Sequence, residues 1–309
     1  MRVLVTGGAG YVGTALVDAL AQKEEVEDVV VYDNLSRSNP NLFLSERLPS
    51  DKIHFVRGDI LDSRRLKREL QGIDVVYHLA ARVSTPFADA DFHGLDQVNH
   101  WGSAELGYLL EENPVERLVY LSSTSVYGAS DKPVDLGSVP NPKTAYGISK
   151  YRGEQMLARL ADRMPVHLVR CANVYGYNKS MRFDAVINRF MFDAQFSGRL
   201  TVHGSGQQTR AFIHIDNLVR ILMACGLEGA LPGVSNLVER QASVQEIAET
   251  LSQIYPGIEL LYIQQDMRLR NLNVEPDPRL AELDLVDDLP LLEQLKTFRK
   301  RFAFEPASR

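Results

Sequence analysis

The first thirteen residues, MRVLVTGGAGYVG, restrict the fold more than any other stretch of the chain. Val3, Leu4 and Val5 form a short apolar run of the kind that builds a strand buried on both faces. Gly7, Gly10 and Gly13 follow at regular spacing, and Val12, Ala15, Leu16, Ala19 and Leu20 then recur at helical period. A strand running through a glycine turn into a helix start is what a pyrophosphate needs. Backbone without Cβ atoms can approach the phosphates, and the helix N-terminus offers free N–H groups at its positive dipole end. A glycine triplet alone is a weak signal; in this strand–turn–helix setting, dinucleotide binding outweighs an ordinary turn.

The alternation of strand and helix continues. Val29 to Val31 make a second strand ending at Asp33 and Asn34. Asp33 lies 20 residues past Gly13, about where an acidic residue takes the adenosine ribose hydroxyls. Its carboxylate would repel a 2′-phosphate, which favours NAD over NADP, although Arg37 nearby could tolerate one. Ser36 to Asp51 reads as a polar loop with one helical turn, and Ile53 to Val56 as a third strand before Gly58, Asp59 and Ile60. A short basic helix around Leu66 and Leu70 ends at Gly72. The fourth strand, Asp74 to His78, enters Leu79-Ala80-Ala81, small residues that suit backbone passing close to a cofactor; His78 itself reads as structural. A helix from about Asp96 carries Asn99 and the single tryptophan, Trp101, expected in the core. A fifth strand, Arg117 to Leu121, leads into Ser122-Ser123, and a helix opening near Thr144 carries Tyr146 and Lys150. A sixth, Val166 to Val169, precedes Asn173.

This rhythm predicts an α/β fold with a Rossmann-type doubly wound parallel sheet over residues 1–176, its ligands lying beyond the carboxyl ends of the strands. Past Gly176 the pattern changes. One helix within Phe183 to Gly198, a strand at Leu200 to His203, a polar loop to Arg210 and a capping box at Ser243 and Glu246 read as a smaller C-terminal substrate-binding lobe over 177–309, with a strand near 234–238 returning to the main sheet.

A chain of 309 residues allows one large or two medium domains. No apolar run approaches the roughly 18 residues of a membrane span, and no leader pattern precedes the first strand. Cys171 and Cys225 cannot make a disulfide framework or a metal cluster, so the cytosol is the expected compartment and no metal is expected. A net charge of −6 argues against nucleic acid, yet a few local arginines could still bind an anionic ligand.

Tyr146 and Lys150 stand four apart on a predicted helix and share one face. A phenol titrates near pH 10, too high for a ready base at neutral pH, and a neighbouring ammonium lowers that value. Lysine can also hold the ribose hydroxyls of a nicotinamide cofactor, and Ser123 could share a proton with a substrate oxygen. Such a pair is common on helix surfaces; downstream of a nucleotide fingerprint, with a serine at the preceding strand end, it reads as catalytic.

These residues together resemble the extended short-chain dehydrogenase/reductase family. Thr6 with the glycines matches its TGxxGxxG signature, and Asp33, Gly58-Asp59, HLAA at 78–81, Ser123, Tyr146, Lys150 and Asn173 occur in its order over the first 180 residues. DNLS at 33–36, SSTSVYG at 122–128 and GSGQQTRAFIHID at 204–216 are most similar to NAD-dependent nucleotide-sugar epimerases, above all those acting on UDP-glucose and UDP-galactose. The resemblance implies that Gly7, Gly10, Tyr11, Val12, Gly13, Asp33, Asn34, Asp59, Ile60, Leu79, Ala80, Ala81, Asn99, Tyr146 and Lys150 serve NAD, Asp59 at the adenine amine and Ile60 packed on its ring. It implies that Ser123, Tyr146 and Lys150 carry the chemistry. Asn173, Arg210 and a C-terminal arginine, Arg268 with Arg270 as rival, would bind the nucleotide diphosphate, and Leu200 to His203 would lie near the base. It also implies a homodimer joined through Gln97 to Leu110 and Thr144 to Ala161. Dehydratases of the family carry an Asp-Glu pair where this chain has Thr124 and Ser125, which argues for epimerisation over loss of water. Ala211 and Tyr177-Asn178-Lys179 also depart from the common pattern. A 4-ketoreductase or dehydrogenase on a similar substrate is the alternative. A non-catalytic dinucleotide sensor is another, against which the intact Tyr146 and Lys150 count.

Overall fold

The structure, a computed structural model, describes residues 1–44, 51–83, 91–130, 132–263 and 271–304. Its centre is a seven-stranded parallel sheet of β1 (Arg2–Thr6), β2 (Asp28–Asp33), β3 (Ile53–Arg57), β4 (Val75–His78), β5 (Arg117–Ser123), β6 (Val166–Cys171) and β10 (Gly233–Leu237), ordered β10-β6-β5-β4-β1-β2-β3. The order reverses between β1 and β4, and a crevice opens there at the carboxyl ends of the strands.

Strands buried on both faces send alternate residues into two cores. Val3, Val5, Val29, Val31 and Val75 face α1 (Tyr11–Ala21) and α7 (Ile215–Met223), through Leu16, Leu20, Leu218 and Ile221. Leu4, Val30, Val76, Leu118 and Leu168 face α2 (Ser63–Glu69), α4 (Gly102–Glu112) and α5 (Ala145–Ala158), through Leu66, Leu106 and Leu157. A doubly wound sheet requires this division.

Between α3 (Phe92–Asp96) and α4 the helix widens into a π turn, Gln97–Trp101. Trp101 corrects the expectation of a core residue: it is 47% exposed, on an outer face shared with Phe92 and Tyr108. The π turn explains the difference. It brings Asn99 inward, fully buried, and leaves Trp101 facing out.

A third core holds the remaining elements together. There α6 (Val186–Phe196), α8 (Val244–Ile254) and α10 (Leu291–Arg299) pack through Ile187, Met191, Ile247, Leu251, Leu295 and Phe298 against two small sheets. One is β7 (Asn173–Tyr175), β9 (Thr209–His214) and β11 (Arg240–Ser243); the other is β8 (Arg199–His203) with β12 (Glu259–Ile263). α9 (Arg279–Glu282) is a single turn. The Ser243–Glu246 capping box starts α8. β9 begins at Thr209, inside the stretch expected to be a loop, because Thr209 and Arg210 pair with Ser243 and Ala242 of β11.

Candidate active site

The crevice is a cleft of about 1410 Å³ running from the glycine turn to the third core. At its cofactor end, Gly7 takes a left-handed backbone (φ +72), and a Cβ there would stand 2.6 Å from the Ala80 backbone nitrogen. A Cβ on Gly13 would meet the Gly7 carbonyl oxygen at 2.3 Å, so α1 seats directly on the turn. Gly10 caps α1, and no side-chain oxygen occupies the cap. The helix N-terminus therefore faces the cleft with its amides available.

Asp33 closes this end. Its two oxygens accept from Ala9 N (3.0 Å) and Leu35 N (2.8 Å), which ties the carboxylate across the glycine turn. Ile60, Leu79, Ala80 and Ala81 line the wall beside it, with Tyr11, Val12 and Asn34. Asp59 is exposed and accepts from the Asn34 side chain (2.8 Å) and Leu61 N (3.0 Å); it lies at the rim, outside the lining. The narrow glycine cradle, the helix terminus and the anchored carboxylate suit a dinucleotide.

Asn99 also stands behind the wall. It accepts from Arg82 N (2.8 Å) and donates to Arg82 O (2.8 Å) and Ser149 Oγ (2.9 Å). It is one member of a buried relay that sequence reasoning missed. Ala80 N donates to Thr6 Oγ1 (3.3 Å), which pairs with His78 Nδ1 (2.8 Å). His78 Nε2 pairs with Ser103 Oγ (2.9 Å), and Ser103 donates to Asn99 O (2.7 Å). Ser149 then donates to the carbonyl of Tyr146 (2.9 Å). Because the Ser103 hydroxyl donates onward, Nε2 carries the His78 proton and Nδ1 accepts from Thr6. Burial and the charge of Lys150 push the imidazole down to about 3, so it is neutral. The loop after β4 and the start of α5 are thereby joined by a buried hydrogen-bonded relay. Apart from His78, each donor is a small hydroxyl or an amide, and such groups carry no spacing signal.

Tyr146 and Lys150 project from one face of α5 toward Ser123 at the end of β5, and all three line the cleft. Thr144 caps α5 through Gly147 N (3.0 Å), which fixes the start of the helix that carries Tyr146 and Lys150. Burial raises the Tyr146 phenol. The Arg182 guanidinium, a hydrogen bond with Ser123 and the Arg37 charge oppose that rise. Arg182 is held by both oxygens of Asp184 (2.8 and 2.6 Å) in the loop before α6. No sequence signal pointed to it, since its place at the phenol depends on how the loop returns to the sheet. Lys150 is fully buried, 4.2 Å above the ring of Tyr120, and burial drives it down to about 7 against the charge of Glu154.

The far end of the cleft is cationic. Arg210 lines it from β9, donating one N–H to its own Thr209 carbonyl (2.9 Å), and Asn173 lies beside it, donating to Ala211 O (3.0 Å). Thr201 and His203 of β8 line the end wall. Arg268 and Arg270 fall outside the described residues. Among the described residues, no helix is long and apolar enough to cross a membrane, and no cluster could hold a metal ion.

The family model described as "NAD dependent epimerase/dehydratase family" matches residues 3–235. The chain is 33% identical over 239 residues to UDP-glucose 4-epimerase of Mycolicibacterium smegmatis, covering 73% of each. It is 29% identical over 259 residues to dTDP-D-glucose 4,6-dehydratase of Homo sapiens, covering 82% of this chain and 73% of the other. Among solved structures, UDP-glucuronic acid 4-epimerase from Bacillus cereus, in complex with UDP-glucuronic acid and NAD, superposes with a TM-score of 0.83 at 27% identity, over 97% of this chain and 98% of that one. A sheet that reverses at the glycine turn, a cradle shaped for a dinucleotide and a serine, tyrosine and lysine converging beside it agree with these likenesses, and the chain belongs to the NAD-dependent epimerase/dehydratase family of enzymes.

Proposed function

We propose that the protein epimerises C4 of a nucleotide-diphospho-sugar of the UDP-glucose/UDP-galactose type through a transient 4-keto sugar. The charge inventory of the cleft carries this reading. Seven lysines and arginines line it against two carboxylates, in a chain of net charge −6, so it suits a ligand with at least two phosphates. Both carboxylates are engaged, Asp33 with backbone amides and Asp184 with Arg182. Among the described residues no acid–base pair is left beside Ser123 to eliminate water, and Thr124 and Ser125 offer only hydroxyls. Proton exchange at one oxygen needs only the tyrosine, which favours epimerisation over dehydration.

NAD, when bound, supplies reversible hydride exchange with the sugar carbon. Gly7, Gly10, Gly13, Asp33 and the HLAA stretch hold it, while Lys150 holds its nicotinamide ribose. Tyr146 takes the proton of the sugar 4-hydroxyl and returns it, and Ser123 hydrogen-bonds that oxygen throughout. Arg210 and Asn173 bind the diphosphate, leaving the sugar room to turn over. We further infer a homodimer through Gln97 to Leu110 and Thr144 to Ala161, on the outer face of the π turn, α4 and α5, where Trp101 and Tyr108 stand exposed.

Proton NMR of UDP-galactose with purified protein and no added cofactor tests the reading. UDP-glucose appearing to a fixed ratio is expected, with NAD carried by the protein. Conversion only with a stoichiometric cofactor would indicate a ketoreductase or dehydrogenase instead. One observation supports a second sugar. Arg182 places positive charge at Tyr146, so a carboxylate in place of the sugar's primary alcohol would be met by a cation, and UDP-glucuronic acid is the next substrate to try.

A further inference from the structure

Tyr146, Lys150 and Glu154 follow one another at single-turn spacing along α5, and the last two are buried, at 1% and 3% exposure. Burying a carboxylate is costly unless its oxygens are satisfied. Those of Glu154 are: Ser122 Oγ donates to Oε2 (2.9 Å), and Arg170 Nε reaches Oε1 (3.1 Å) and Oε2 (3.2 Å), with Arg170 Nη2 on Oε1 as well. Arg170 is anchored in turn, donating to the Tyr127 hydroxyl (2.9 Å), which donates to Asn236 Oδ1 (2.8 Å). Ser122 and Arg170 are paired in register on β5 and β6, each one residue before a cleft residue, Ser123 and Cys171. The carboxylate is thus fixed in place beneath the reacting groups.

Lys150 forms no ion pair of its own among the described residues. The groups around its ammonium are His78 of β4, Tyr120 of β5, Cys171 of β6 and Glu154 of α5, and Tyr146 lies one turn before it on the same helix. His78 is neutral, and burial pushes the Cys171 thiol up to about 12, so it too is neutral at pH 7. Glu154 is the one anion in this set.

We propose that Glu154 is a positioning residue for Lys150, locked by Arg170 and Ser122 so that the buried ammonium keeps its charge without being drawn into a direct pair. A mobile carboxylate one turn along the helix would pull the ammonium away from Tyr146. A carboxylate already occupied by the Arg170 fork supplies the field and leaves the ammonium's hydrogens for the phenol and the ribose. The inference rests on Lys150 and Tyr146 working as a pair, not on which sugar is turned over.

The test follows Lys150 directly. In protein labelled with 13C at the lysine ε carbon and kept with NAD, one lysine resonance is expected to titrate below the others, and Lys150→Met identifies it by its loss. Glu154→Gln is expected to lower that midpoint by about one unit, and Glu154→Asp to restore most of it. An unmoved midpoint in a folded Glu154→Gln protein overturns the proposal. Should the unpaired Arg170 prevent folding, the Glu154→Gln/Arg170→Gln double variant removes both buried charges; its midpoint should fall in the same direction but by less, because the opposing Arg170 charge is gone as well, and an unmoved midpoint there overturns the proposal too. Failure to turn over any nucleotide sugar would count against the proposed function and leave this readout intact.

Discussion

The two ends of the cleft are built differently. The cofactor end is backbone: glycines too close to their neighbours to bear a side chain, a free helix terminus and an aspartate clamped between two amides. The substrate end is side chain: Arg182 from a loop, Arg189 from α6, Arg210 from β9 and His203 from β8. Backbone geometry admits few solutions, so the first end accepts one kind of ligand. Side chains on a separate core can be exchanged without disturbing the sheet, so the second is where members of one fold can differ in substrate.

Tyr146 stands between the two ends, and removing its hydroxyl should give the largest effect. Tyr146→Phe is expected to lower kcat by about 10²–10⁴-fold while NAD and nucleotide binding persist. Calorimetry of both ligands beside the rate would check it, and lost binding would mean the phenol is an anchor and not the base. Gly7→Val should break the cofactor end alone. Its Cβ would collide with Ala80 and its φ is left-handed, so NAD affinity should fall by about 100-fold or more, read by retained NAD absorbance. Arg210→Ala should break the other end. A rise in the nucleotide-sugar KM of about 10-fold or more, with NAD still retained, is expected from a lost charge-assisted contact. Equal damage to NAD retention by both variants would erase the distinction between the ends.

That distinction also decides what could be read in the sequence. The cofactor end was legible because backbone constraints leave local signatures: a glycine turn between strand and helix, an acid 20 residues on, a tyrosine and lysine one turn apart. Arg182, Ser103, Ser149 and Glu154 left none. Ser103 and Ser149 matter because a π turn brings Asn99 between them, and a change of helical register is not visible in a hydrophobic period. Arg182 needs the loop path, which departs from the common pattern at Tyr177-Asn178-Lys179. Trp101 was misplaced because the expectation of a core residue assumed an ordinary helix through that segment, where the π turn leaves its side chain facing out.

A smaller effect sharpens the electrostatic side of the comparison. Arg182 is the foremost charge opposing the upward shift of the Tyr146 phenol. Replacing it by glutamine removes that opposition and frees Asp184, and both changes disfavour the phenolate. The acidic limb of kcat/KM, which reports the base, should therefore move to higher pH in Arg182→Gln. An unmoved limb would mean that Arg182 does not set the phenol's value and leave that part to Ser123, Arg37 and the neighbouring Lys150.

The smallest predicted effect concerns what Lys150 does to stability in the NAD-free protein. Its folded-state value is near 7, below the ordinary 10.5. Between those values the unfolded chain holds a proton that the folded chain has released, so stability rises with pH across that window and the burial penalty is greatest below it. Lys150→Met removes the penalty and keeps the stem's packing over Tyr120, while Glu154 remains paired with Arg170. The variant should melt a few degrees higher at pH 6, by roughly 2–4 °C for each kcal/mol gained, and the difference should shrink toward pH 10. A pH-independent difference would mean that Lys150 holds its proton equally in the folded and unfolded chains, so that burial in the free protein does not lower its value.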